Sequence, residues 1–416
     1  MKINTLTLLG IFFFVFTIYF IVGTNYTLEP KWALDYFNPL AQSILHFRLD
    51  IPNPGTTYDL SYYNGKWYGP WGIIPALILI PLQFIRGQFV PTFYLSILFS
   101  SLNAVLIYLL LIRVKKEFFP QLSTRGIYVC LMLFAFGTTQ FYVGTLGSVW
   151  HVDQITTSFF GTLGIYIIFR KKRRLIHYFF STICFSLAFL GRPTIVLLSF
   201  LPIIFYIFDL QKREVFKSLH KIKTILIKEI TLLSIPLIFF LSLFLLYNYV
   251  RFENIFEYGF NYIRESSYLA QLREENGPFS VKNIPSNLRY MLFEIPGISF
   301  SNANIFSFNL NGNSIFFLTP PLLAGFLAFP IKTKQRKFVF DPYVTSLWLT
   351  VGITLLPSLM HYGSGWMQLG YRYVLDVNVL LILLSIFGMR GRINTIYALG
   401  AIFSIVIYTL GIRAFM

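Results

Sequence analysis

Eight side chains in this sequence combine reactive chemistry with positions at the edges of apolar runs: Asp35, Asp59, Lys66, His151, Asp153, Arg192, Arg251 and Arg372. Asp35 stands just past the first apolar run, at the head of a polar, aromatic stretch that reaches Pro70. A carboxylate so placed can take a proton from a hydroxyl, and one base is enough when the leaving group is a phosphate that departs already ionised. Departing phosphate calls for positive charge, which the planar fork of arginine supplies better than lysine. Arg192, Arg251 and Arg372 all stand at the ends of apolar runs, and Gly363, Gly365 and Gly370 leave backbone room beside Arg372. Each residue also has a plain structural use. Asp35 is equally suited to capping a helix, and the arginines to anchoring at a membrane interface. His151 and Asp153 can satisfy one another at a water boundary. Asp376 is either a further candidate or the partner of Arg372, one helical turn away.

The elements that must position these groups are membrane helices. The chain has 416 residues, of which 56% are hydrophobic and 12% charged, with 47 Phe and 26 Tyr. That is too apolar for a soluble globule. Runs near the roughly 20 residues that a spanning helix needs recur about eleven times: 6–23, 89–112, 127–146, 150–169, 176–190, 193–208, 230–250, 314–331, 343–360, 373–389 and 395–412. The pattern predicts an all-α polytopic membrane protein forming one unit over residues 1–416. The first run reads as a retained anchor, being long for a signal-peptide core and followed by no small-residue cleavage pattern. Cys130 and Cys184 fall inside predicted spans and offer neither a disulfide framework nor a metal cluster.

Charge placement orients the spans. With the amino terminus in the cytoplasm, the inner segments are Lys2 and residues 113–125, 170–174, 209–229, 332–341 and 390–392. They hold 22 of the 34 Lys and Arg but 5 of the 17 Asp and Glu. The net charge of +17 is therefore positive-inside bias and requires no nucleic-acid partner. The run 71–85 is short and holds Pro75 and Pro81, and counting it as a span would turn every later basic loop outward. It reads instead as an interfacial or re-entrant helix. Two long external loops follow from this, 24–86 and 251–313. In the first, Leu34, Phe37, Leu40, Ala41, Ile44 and Leu45 recur at helical spacing, which predicts an amphipathic helix lying along the surface. Asn64-Gly65 between aromatic runs predicts a hairpin turn. In the second, residues 266–275 have polar helical character, and the loop is assigned to acceptor binding or to covering a cavity.

The order of first span, Asp35, amphipathic helix, Leu49-Asp50-Ile51, Gly65-Lys66-Trp67-Tyr68 and a proline-containing interfacial helix resembles the GT-C class of integral-membrane glycosyltransferases. The likeness is to members related to protein O-mannosyltransferases and to the aminoarabinose and galacturonic acid transferases of lipid A. It continues through Gly191-Arg192-Pro193-Thr194, Tyr247-Asn248-Tyr249-Val250-Arg251-Phe252 and Gly370-Tyr371-Arg372-Tyr373. The resemblance implies transfer of a sugar from a polyprenyl-phosphate donor to a lipid, glycan or protein acceptor on the extracytoplasmic side of the plasma membrane. Asp35 takes the place of the family's catalytic base. Arg372, Arg192, Arg251, Asp59, Lys66, His151 and Asp153 are the candidates for holding phosphate and substrate. Asp35 is followed by Tyr36, so the paired acidic motif of the protein mannosyltransferases is absent, and with no Asp-x-Asp pair nearby no metal or other cofactor is expected.

Three other readings compete. A polymerase or ligase using a lipid-diphosphate glycan would share the arginine logic without needing a base near the first span. A transporter or flippase would be expected to show repeated halves with matching broken helices, and no such repeat is evident. A membrane scaffold would leave the external Asp, Arg and His without a common purpose. The topology has a direct test: cysteines substituted for Lys66 and Arg86 should both react with an impermeant thiol reagent from outside, whereas one at Lys172 should be protected. Labelling at 66 with protection at 86 and exposure at 172 would overturn the arrangement.

Overall fold

A computed structural model describes residues 4–30, 33–298, 306–328, 331–332, 338–339, 341–365 and 367–415. Lys2, part of the second loop (299–305) and most of the basic segment 332–341 lie outside the described residues. The chain is helical almost throughout, with only three two-stranded ribbons among the described residues. Among the described residues six helices are long and apolar enough to cross a membrane: Thr5–Gly23, Phe93–Glu117, Pro193–Lys212, Ile222–Phe252, Pro342–Met360 and Thr395–Phe415.

The other predicted spans are interrupted, short or polar, for reasons visible in their residues. The run 127–146 divides into Thr124–Phe136 and Thr139–Gly144, because the Thr138 side chain caps a new helix after Gly137. Pro320 and Pro321 turn 314–331 into a four-residue helix, Ile315–Leu318, and a 3-10 segment, Pro320–Ala328. The run 373–389 opens with a 3-10 turn, Arg372–Val377, before the helix Asn378–Gly388. Leu175–Gly191 has 17 residues, and Val149–Ile168 is a continuous 20-residue helix carrying buried His151, Asp153 and Gln154. Val149–Ile168 packs between Leu175–Gly191 and Phe93–Glu117, so its polar first turn is enclosed on both sides.

The described residues of 24–86 hold two helices and a hairpin. Phe37–Leu45 is a helix that buries Phe37, Leu40 and Ala41. Ser61–Tyr63 and Lys66–Tyr68 pair antiparallel across Asn64 and Gly65, whose φ values of 47° and 77° suit a tight hairpin turn. Ile74–Arg86 is a helix with Pro75 at its start, Pro81 inside and Gly87 closing it in the left-handed region. Asn38 binds these parts together. Its side-chain oxygen accepts from Gln83 Nε2 at 2.8 Å and from the Val90 amide at 3.1 Å, while its nitrogen donates to the Val90 carbonyl at 2.8 Å and to Asp35.

The loop is moored to the helical body at Gly72. Ile73 donates its amide to the Leu190 carbonyl at 3.1 Å, and a Cβ on Gly72 would lie 2.0 Å from the Gly191 carbonyl oxygen and 2.2 Å from that of Leu190. Both obstacles are backbone, so the loop itself must lift away if the methyl is added. Gly72→Ala should cost about 1–3 kcal/mol, the usual scale for overpacking. The measurement is Tm of the detergent-purified protein together with proteolysis of the 51–73 segment. An unchanged Tm and digestion pattern would mean that this approach does not hold the loop.

Candidate active site

Two polar regions lie on either side of the segment 56–59. The outer one is a cavity of about 380 Å³ lined by Leu34, Asp35, Tyr36, Pro39 and Gln42, by the turn 51–56 and by Phe89. One Asp35 oxygen accepts the amides of Phe37 at 2.8 Å and Asn38 at 3.2 Å, and the other accepts the Asn38 side chain. Asp35 thus does cap its helix, as one of its two readings required, and it faces the cavity as well. Burial raises its carboxyl above the ordinary carboxylate value, outweighing these hydrogen bonds. Tyr36 closes the floor, its hydroxyl donating to the carbonyls of Thr56 at 3.2 Å and Tyr58 at 2.7 Å.

The inner region is a buried charged cluster where three helix ends meet. Arg192 ends Leu175–Gly191 and pairs with Asp376 at 3.2 Å. Asp153, in the second turn of Val149–Ile168, feels both Arg192 and Arg372. Gln154 Nε2 donates to the Arg372 carbonyl at 2.7 Å, and the Arg372 amide donates to Gln368 Oε1 at 2.7 Å. His151 shares a hydrogen bond of 2.5 Å with Ser148, which fixes its ring at the start of the helix. Asp376 therefore serves Arg192, and Arg372 makes no ion pair among the described residues.

Several buried polar atoms of this cluster have no hydrogen-bond partner among the described residues: Arg372 Nε, His151 Nε2, Asp153 Oδ1 and Gln154 Oε1. Such groups normally cost about 1–3 kcal/mol each, and three of them come from Val149–Ile168 and one from the 3-10 turn Arg372–Val377. Gly365, at φ 93°, keeps space beside the guanidinium, since a Cβ there would come within 2.9 Å of Arg372 Nε. Arg372 can meet an anion by charge and by donating from Nε, whereas Asp153 Oδ1 and Gln154 Oε1 can only accept and suit a hydroxyl.

Asp59 joins the two regions. Its Oδ2 accepts the Trp150 indole at 3.1 Å, and its carboxyl lies within the electrostatic reach of Arg372 and Glu265. The second loop clamps it there: the Asp59 amide donates to the Arg264 carbonyl at 2.7 Å, and the Arg264 amide donates to the Leu60 carbonyl at 2.8 Å. Ser61 adds a hydrogen bond to the Gly259 carbonyl at 2.8 Å. Residues 266–275, expected to be helical, form the helix Ser267–Asn276 capped by Ser266. Glu265 pairs with Arg273 at 2.7 Å and accepts the Tyr362 hydroxyl at 2.5 Å.

Two predicted site residues stand apart from both regions. Arg251 is buried and bonds to the carbonyls of Gly69 and Tyr247 and to Asn248 Oδ1, so that it ties the hairpin to the helix Thr231–Phe252. Lys66 is exposed at the hairpin. Glu265, Tyr362 and His361 were not expected near Asp59 and Arg372, and no spacing in the sequence marks them; they arrive through the loop-on-loop pairing. Burial lowers His361 to about 4, leaving it neutral. Comparison with protein families, with curated proteins and with solved structures finds no match for this chain.

Burial is also the largest influence on Asp59, raising it to about 6, while the Trp150 hydrogen bond and Arg372 act to lower it. A carboxyl raised in the folded state stabilises the fold most fully below its unfolded value, and that contribution is lost as pH rises through about 6. Intrinsic fluorescence should therefore titrate with a midpoint near 6 as the indole partner ionises. Trp150→Phe and Asp59→Asn should each remove the transition. A midpoint at the ordinary carboxylate value, or one that survives both substitutions, would refute the assignment.

Proposed function

We propose that this chain is a membrane glycosyltransferase of the GT-C type that moves a sugar from a polyprenyl-phosphate carrier to an acceptor at the outer face of the plasma membrane. The observation that carries the reading is Arg372, a half-buried guanidinium without a carboxylate partner among the described residues, set beside Asp59, His151 and Gln154. A guanidinium with no direct carboxylate contact, its charge met only at longer range by Asp59, Asp153 and Asp376, is suited to a ligand that brings its own negative charge. The reading takes all eleven apolar runs as spans, with the amino terminus in the cytoplasm and loops 24–86 and 251–313 outside.

In the reaction so drawn, Asp35 takes the proton of the acceptor hydroxyl, and that oxygen attacks the anomeric carbon. The bond from this carbon to the phosphate oxygen breaks, and polyprenyl phosphate leaves with the electron pair and with inverted configuration at the sugar. Arg372 meets the charge that grows on the phosphate, a contribution made mainly in the transition state. Arg192, already balanced by Asp376, adds a second positive site at the cluster's edge. His151, Asp153 and Asp59 supply polar contacts to the sugar, and exposed Lys66 is placed to meet a headgroup phosphate. Arg251 supports the hairpin.

Transfer from a radiolabelled polyprenyl-phosphate hexose in proteoliposomes tests the roles. Asp35→Asn should reduce turnover by about a hundredfold or more, the scale of a positioned base. Because asparagine at 35 would set one amide nitrogen against that of Asn38, Asn38→Ala is the necessary companion. It removes the same side-chain bond but keeps the carboxylate, and should transfer well above the Asp35→Asn level even though it also loses the Gln83 and Val90 links. Arg372→Lys should lose about tenfold or more, one good charge-assisted bond of roughly 1.5–3 kcal/mol. If Arg372→Lys is impaired while Asp35→Asn transfers at the parent rate, the base assignment fails, and a lipid-diphosphate polymerase or ligase becomes the better reading.

A further inference from the structure

The outer cavity differs in chemistry from the arginine cluster. Among its described lining residues Asp35 is the only ionisable acid or base apart from the Tyr36 phenol, with no Lys, Arg or His, and Lys31, four residues before Asp35, lies outside the described residues. Its other polar groups are the neutral side chains of Gln42, Asn53 and Thr56 together with turn backbone. An anionic group entering here would give up water beside a carboxylate with no cation among the described lining residues to balance it. An uncharged hydroxyl-bearing group exchanges its water for amide and carboxylate partners at little loss. The volume of about 380 Å³ falls at the small end of the usual range for small-molecule sites. One border is apolar: Phe89 lines the cavity together with Leu34, Pro39 and Ile51, and is itself 39% exposed.

We propose that this cavity is the acceptor site, and that the acceptor is an uncharged, hydroxyl-bearing head group carried on an amphiphile, not a phosphorylated one. The term acceptor rests on the transferase reading; the preference for an uncharged amphiphile rests on the cavity alone. It places the hydroxyl at Asp35 and the phosphate at Arg372, so that the sugar has to reach past the segment 56–59 for its anomeric carbon to meet the hydroxyl. Asn38, through its links to Asp35, Gln83 and Val90, keeps the cavity's floor and its apolar border in register.

Photoaffinity labelling of the full-length protein in nanodiscs distinguishes the possibilities. The probes are a diazirine-bearing decyl glucoside and a diazirine-bearing decyl phosphate, with cross-linked peptides mapped by mass spectrometry. The glucoside should label segments 34–42 and 51–56 at least about tenfold more than the phosphate does, in keeping with the penalty for placing like charges together. Decyl glucoside should compete and methyl glucoside should not. Gly55→Trp, at a position whose Cβ meets nothing within 4 Å, should abolish the labelling without lowering Tm. Equal or stronger labelling of these segments by decyl phosphate would overturn the uncharged head group, and equal competition by methyl glucoside would overturn the amphiphile. The expected labelling without any sugar transfer would support the cavity's preference while defeating the transferase reading. Transfer together with phosphate labelling in the cavity would leave that reading intact and defeat this inference.

Discussion

Arg192 and Asp376 form an ion pair buried among apolar helices, with the Asp153 carboxyl beside Arg192, and this pairing constrains everything around it. Removing either partner of such a pair leaves an uncompensated charge, which typically costs about 3–5 kcal/mol. The three side chains come from the end of Leu175–Gly191, the second turn of Val149–Ile168 and the 3-10 turn Arg372–Val377. Holding them together fixes where those three elements meet. Arg372 is carried into the same place by the 3-10 turn that presents Asp376, which is how one paired and one unpaired guanidinium come to share a site.

The loops are built onto this junction. Gly72 rests on the Leu190 and Gly191 carbonyls, directly before Arg192, and Leu34 accepts the amide of Val149, directly before Trp150. The first loop therefore touches the cluster at both ends and has little freedom to move as a lid of its own. Its middle is fixed by the second loop through the paired amides of Asp59 and Arg264. Asp59 takes φ 58°, a left-handed conformation that Asp tolerates better than most residues, and this turns its carboxyl toward Trp150. Asp59 and Arg372 are thus set by backbone contacts that their own side chains do not make.

The helical nature of the chain, the amphipathic helix after Asp35, the Asn64-Gly65 hairpin and the polar helix of the second loop were all legible in the sequence. Each is dictated by local composition and spacing, the kind of information that a single segment carries. The positions of the span interruptions were less legible. Thr138 capping a new helix and Pro320-Pro321 shortening another act at one or two residues inside runs whose average remains apolar.

The residue types at the site could be listed from the sequence, because ionisable groups at the edges of apolar runs are conspicuous wherever they fall. Their partnerships could not. Asp376 is four residues from Arg372 and 184 from Arg192, yet it pairs with Arg192, because the 3-10 turn points the near neighbours apart while helix packing brings the distant ones together. Arg251 and Arg372 look alike in sequence, and only tertiary structure gives one of them three oxygen partners from its own chain and leaves the other without an ion pair among the described residues. Sequence alone determined that this is a largely helical chain with apolar helices long enough to cross a membrane and charges at their ends, since hydrophobicity and charge are summed locally. Which charges meet was decided by the fold, since compensation in a buried setting depends on distances between segments that no local pattern records.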